Sequence, residues 1–319
     1  MINAVVKHFF YAAALIVLPT AVFGQIRYTA PIDSTANQLW SNTDSKLTCT
    51  LTHEIPRYGH AEFKTYGGHE LKSSLQIVPR LGINDNSVMR FIATKPEWQS
   101  GGREVLLGKV KIYTGFNPYT GATLAWKILS ALSHGQQIFM PYTDDKIASG
   151  QNIIPSLSPM GFDKAYQRYI TCQENLLRVN FADIQMLPLV FNYQQSELST
   201  KSKQRIQSQL DYIKEDKSVN QVIIRAYSYD MNNKNENIKM AQTRAEKIKE
   251  MFIESGVKEN MIKVIPFNSL TLPKDRENPP ANYSVTARNA LVSLERDNSL
   301  VDRDLDVVVP DVGADSGEE

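Results

Sequence analysis

The segment RAYSYDMNNKNENIKMAQTRAEKI, residues 225–248, places Arg244 on a helix behind a polar, Asn-rich loop, and that is a pattern suited to holding an anion. A guanidinium is a planar fork that takes a carboxylate through two parallel, charge-assisted hydrogen bonds. The N–H groups at the helix N-terminus carry partial positive charge and favour the same ligand. Asn237 is a good N-cap by type for the helix predicted to start near it. Tyr229 and Asp230 stand in the loop as a hydroxyl and a carboxylate. A single helix arginine is ordinarily a solvated partner in a shifting ion pair, so Arg244 takes its meaning from what surrounds it.

Two kinds of grammar surround it. From residue 25 to about 155, short apolar runs alternate with turn residues (LTCTLTHEIP, HAEFKTYG, SLQIVPRLG, SVMRFIAT, EVLLGKVKIYTG), which predicts antiparallel strands. GATLAWKILSALSHG interrupts them with a helix that puts Leu124, Ala125, Ile128, Leu129 and Leu132 on one face and stops at Gly135. A second helix is predicted from near Phe162, with Cys172 on it or just after it. From about Asp183, strands and helices alternate: IQMLPLVFNY, a helix over 199–215 with Ile206, Leu210 and Ile213 inward, then NQVIIRAYSY. A helix over about 237–255 follows, with Ala241, Ala245, Ile248 and Phe252 inward and Gly256 closing it, then NMIKVIPF and ARNALVSL. The expectation is a two-domain chain: a mainly antiparallel β domain with one or two helices at 25–182, then an α+β domain of βαβαβ type at 183–295.

The chain has 319 residues, enough for two such cores. Residues 1–24 read as a secretory signal, with Lys7 and His8 ahead of an apolar run from Phe9 to Phe23. The two cysteines, Cys49 and Cys172, form an even count, which in an exported chain favours a disulfide; two buried free thiols are the alternative. The formal charge of +1 gives no reason to expect nucleic acid as a partner. Nine acidic residues and two arginines between Glu295 and Glu319 give that end a charge of −7, and residues 296–319 read as an acidic, disordered tail. His53, His60 and His69 share a short window, but no metal-ligand spacing accompanies them, and nucleophile-elbow, Walker and dinucleotide-binding motifs are absent. No catalytic residue, metal or cofactor is expected.

The alternating half resembles the OmpA-like peptidoglycan-binding domain. VFNYQQSEL supplies Phe191, Ser196 and Leu198 of that family's opening pattern, and NIKMAQTRA keeps the spacing of its second-helix motif through Asn237, Arg244 and Ala245. The resemblance implies a receptor for the diaminopimelate of the peptidoglycan stem peptide. The arginine would take the ligand carboxylate, and an aspartate the ligand ammonium. Tyr229 stands where the family has that aspartate, with Asp230 one position later. Three readings follow: Asp230 serves after a one-residue shift, the pocket binds weakly, or the pocket is a vestige. The family's closing basic run is thinned to ARNALVSL, with Arg288 kept and Asn289 in the second position.

CTLTHEIPRYGHAEF, YTGFNPYTGATLAWKILSALSHG and YITCQENLL are similar to the MotY family of sodium-driven flagellar motors, over residues 27–294 in all. That resemblance implies a periplasmic, non-enzymatic protein with one disulfide in its first domain. It implies a ring around the flagellar basal body formed with a MotX-like partner, and stator units held to the wall. A general envelope scaffold outside the motor is the alternative.

Overall fold

Strand β3 (Thr48–Ile55) buries Cys49, Leu51, His53 and Ile55, and β4 (Gly59–Tyr66) buries Gly59, Ala61, Phe63 and Thr65, so the predicted two-residue period is realised residue by residue. In this computed structural model the described residues are 25–30, 39–84, 86–96, 98–99, 101–144, 152–228, 231–266, 288–297 and 299. The predicted signal segment and most of the tail lie outside them. Arg296, assigned to the tail from sequence, instead closes the last strand.

Two sheets build the first domain. One has the order β2 (Trp40–Asp44), β3, β4, β5 (Lys72–Pro79), β8 (Tyr119–Gly121), all antiparallel. The other has the order β1 (Gln25–Tyr28), β11 (Asn152–Leu157), β9 (Gln137–Phe139), β6 (Ser87–Thr94), β7 (Val105–Ile112), with β10 (Tyr142–Thr143) also on β11. Its β1–β11 pair is parallel and its other pairs are antiparallel. Helix α1 (Ala122–Ser133) buries the five side chains expected on its inner face, and Gly135 leaves it with φ +74°. Helix α2 (Phe162–Glu174) carries Cys172, which is bonded to Cys49 on β3 with Cα atoms 5.9 Å apart.

His53 is enclosed in this core. Its Nε2 accepts the Ser158 N–H at 3.1 Å, and the Trp40 ring meets it edge-on at 4.5 Å. His60, one strand away, points to the opposite face and pairs with Glu62 at 3.2 Å. Among the described residues no three His, Cys, Asp or Glu side chains are grouped as a metal site would need. Burial pushes the His53 pKa from 6.5 down to about 3, because a charged imidazole there would lose its hydration. The unfolded chain therefore binds a proton that the native chain refuses between those values. Stability is full above about pH 6.5 and falls by about 1.4 kcal/mol per pH unit below it. His53→Gln, which offers an oxygen acceptor to Ser158 without titrating, is expected to flatten that slope in urea melts between pH 6.5 and 4; an unchanged slope would assign the acid sensitivity elsewhere.

The second domain is a four-stranded sheet of order β12 (Met186–Val190), β15 (Asn289–Arg296), β13 (Val219–Ala226), β14 (Ile262–Pro266). The β13–β14 pair is parallel and the other two are antiparallel. A short helix, α3 (Phe181–Ile184), opens it with a capping box between Asn180 and Asp183. Helices α4 (Thr200–Glu215) and α5 (Lys234–Glu254) bury the stripes expected of them, and Gly256 at φ +93° closes α5. The domain is α+β, with β13, α5 and β14 forming a parallel crossover.

The domains meet through Leu47, Leu177, Val179 and Phe181, all packed against the second core. The Arg296 guanidinium lies 3.5 Å from the Phe181 ring and 3.7 Å from Asp216, and Lys46 reaches Glu215 at 3.3 Å. No helix among the described residues is long and apolar enough to cross a membrane.

Candidate functional site

Strand β13 runs into Tyr227 and Ser228, and α5 begins at Lys234, so the loop between them lies at the carboxyl end of a strand and the N-terminus of a helix. That is where α/β crossovers place anionic ligands. Asn233 caps α5 by accepting the Glu236 N–H at 3.0 Å. Asn237, expected from its type and place to cap this helix, does not: the helix starts at Lys234, and Asn237 sits in its first turn.

Asn237 ties the loop together instead. Its Oδ1 accepts the Ser228 hydroxyl and the Met231 N–H, each at 3.1 Å, while its Nδ2 donates to the carbonyls of Met231 at 3.3 Å and Asn233 at 3.0 Å. One buried side chain thus holds the residues on both sides of Tyr229 and Asp230. Those two positions lie outside the described residues.

Arg244 is completely buried. Its Nε donates to the Gln195 carbonyl at 2.9 Å, its Nη1 donates to the Tyr227 carbonyl at 3.1 Å, and its guanidinium carbon lies 4.9 Å from the Phe191 ring centre. Desolvating a cation costs several kcal/mol, and these carbonyl oxygens and the aromatic face offset part of that cost. Gln194, with φ +52°, sits in the left-handed region, unusual for a residue with a side chain, in the turn that presents the Gln195 carbonyl. Gln195 and Tyr227 act through backbone oxygens, which no residue type announces; Phe191 belongs to the opening pattern on which the family resemblance rests.

Arg288 lies at the same end of the sheet. Its carbonyl accepts the Phe191 N–H at 2.8 Å, and its guanidinium carbon lies 5.9 Å from the Tyr193 ring centre. Asn289 is buried, its carbonyl accepting the Tyr227 N–H at 2.9 Å. Arg244, Asn237 and Arg288 are therefore grouped around the ends of β12, β13 and β15. A cavity of about 210 Å³ opens on another side of Phe191, and Glu197, Lys203 and Lys247 line it. Glu197 is held below the usual carboxylate range, first by Lys247 at 2.6 Å and then by Lys203.

Residues 190–286 match the model of the OmpA family, so the second domain is an OmpA family domain. Residues 28–178 match the model described as the MotY N-terminal domain. The chain is a MotY-like protein, with a MotY N-terminal domain followed by an OmpA family domain. A relative, the sodium-type flagellar protein MotY of Vibrio parahaemolyticus, is 28% identical over 244 residues, which cover 76% of this chain and 82% of the relative. The OmpA-like domain of FopA1 from Francisella tularensis matches 35% of this chain and 75% of its own at 20% identity and a TM-score of 0.26. The peptidoglycan-associated lipoprotein of Burkholderia pseudomallei matches 34% of this chain and 89% of its own at 16% identity and a TM-score of 0.27.

Proposed function

We propose that this chain is a non-enzymatic, exported component of the bacterial flagellar motor that attaches to the cell wall through its second domain. The observation that carries the reading is the order of the two matched domains along one chain, together with similarity to a sodium-type flagellar MotY over most of both proteins. In this reading residues 25–182 meet the basal body and a MotX-like partner to form a ring, and residues 183–295 take the diaminopimelate stem peptide of peptidoglycan and so keep stator units in place. A deletion strain is expected to lose swimming and the ring density around its basal bodies. Normal swimming with intact density would remove the motor role.

In the proposed pocket, Arg244 receives the ligand carboxylate, and with Tyr229 at the family's acidic position the ammonium is held weakly. Restoring a carboxylate with Tyr229→Asp is expected to raise retention on purified sacculi by about ten- to a hundred-fold, the value of a hydrogen bond to a charged partner. No gain from Tyr229→Asp, with a loss from Asp230→Asn, would identify Asp230 as the working acid.

A second reading has its own observation. The Arg244 guanidinium is covered and already donates to two backbone carbonyls, an arrangement that would serve a retained scaffold with a vestigial pocket. Such a protein could anchor a different envelope assembly. Sacculus retention indifferent to every substitution at 229, 230 and 244 would favour it.

A further inference from the structure

The solvent face of β6 and β7 is built from like charges set side by side. Arg90 pairs directly across from Lys109, and Val88 pairs across from Lys111, so both lysines and Arg90 project from the same side of the sheet. Directly opposed like charges cost a sheet stability, and they persist most readily where something negative lies over them. A concavity of about 690 Å³ continues the same face, with Arg27, Arg90 and Lys95 against Glu104 in its lining.

Strand β7 also ends its sheet, and among the described residues no strand pairs with its outer edge. Val105 and Leu106 are 45% and 52% exposed there. An eight-residue edge with exposed apolar side chains is a template for an added strand. Its lysines deter neutral and basic strands; an acidic strand is the chemistry they favour.

The sequence carries a segment of that composition and period. In LVDRDLDVVVP, residues 300–310, Asp302, Asp304 and Asp306 recur at every second position, Val301, Leu305 and Val307 fall on the other face, and Pro310 stops the pattern. We propose that residues 301–309 of one copy add to the β7 edge of a second copy, laying the three aspartates beside Lys109 and Lys111. Only two residues separate Ser299 from Asp302, a reach of about 10 Å. The first-domain residues that pack on the second core are Leu47, Leu177 and Val179, none of them on β7, so a second copy is the occupant. The contact is head-to-tail, the kind that closes into rings or propagates. It does not rest on the motor assignment.

The test uses the chain from Gln25 onward and the same chain ending at Ser299. Sedimentation is expected to show concentration-dependent association of the full chain, weakened at least ten-fold by truncation, by raised salt, and by Lys109→Glu with Lys111→Glu. A synthetic peptide of residues 299–319 is expected to bind the truncated chain and to slow amide exchange along β7, and its Asp302→Asn, Asp304→Asn, Asp306→Asn form to bind at least ten-fold more weakly. Equal binding of a scrambled peptide, an unaffected charge-reversed chain of unchanged melting temperature, or a full chain that stays monomeric while the peptide binds would each overturn the proposal.

Discussion

Replacing both Cys49 and Cys172 with alanine is expected to lower the stability of the first domain by about 4 to 5 kcal/mol, the chain-entropy value for releasing a loop of this length. The two residues are 123 apart in sequence, so the bridge removes a large set of extended conformations from the unfolded ensemble. The native arrangement does not depend on it alone. Helix α2 is also held by the Tyr169 hydroxyl on Thr65 at 2.7 Å and by Asn42 Nδ2 donating to the Ala165 carbonyl at 3.0 Å. The double variant is therefore expected to fold to the same structure with a lower urea midpoint and a steeper slope in denaturant, because its unfolded chain is less confined and exposes more surface. A loss below about 1 kcal/mol would mean that the unfolded chain is already confined by other means.

The bridge has a second consequence, at the domain junction. Lys46 and Leu47 lie just before Cys49, Leu177 lies just after α2, and the Leu177 N–H donates to the Lys46 carbonyl at 2.8 Å. These are the segments that carry Leu47 and Leu177 onto the second core. Loosening the bridge loosens the surface through which a wall-attached domain would transmit load to the first domain. Reduction is thus expected to weaken the docking of the two domains before it unfolds either, which amide exchange at residues 46–48 and 176–179 would register.

What was legible in the sequence was whatever repeats locally. The period of two in β3 to β6 and the helical stripes of α1, α4 and α5 follow from where side chains point, and burial selects on that directly. The same alternation already turned His53 inward with Cys49, Leu51 and Ile55, although its residue type invites a metal or surface reading. Pairing between distant segments was not legible. The parallel union of β1 with β11 joins residues more than a hundred apart, and nothing in either four- to six-residue stretch names its partner. At the candidate site, Arg244 and Asn237 were found by spacing, but their partners are mostly main-chain oxygens and amides. Asn237 was misassigned as a cap because Asn233, Asn235 and Asn237 are all competent by type; the choice among them depends on where the loop leaves β13.

Arg244→Ala is expected to lower the stability of the second domain by about 3 kcal/mol and to remove retention on sacculi. The stability term comes from the carbonyls of Gln195 and Tyr227, each of which loses a charged donor worth about 1.5 to 3 kcal/mol, with less than full additivity because one side chain serves both. It also frees the turn around Gln194 to leave its left-handed conformation. The binding term has a separate origin, since a carboxylate ligand needs the guanidinium fork itself. The two are distinguished by Arg244→Lys, which keeps the charge and loses the planar fork. If Arg244 works as a receptor, the lysine variant regains part of the stability and almost none of the retention, and Asp230→Ala reduces retention less than Arg244→Ala. If Arg244 only pins the β12–α4 turn to the end of β13, retention follows melting temperature across all three variants and vanishes only where the domain unfolds.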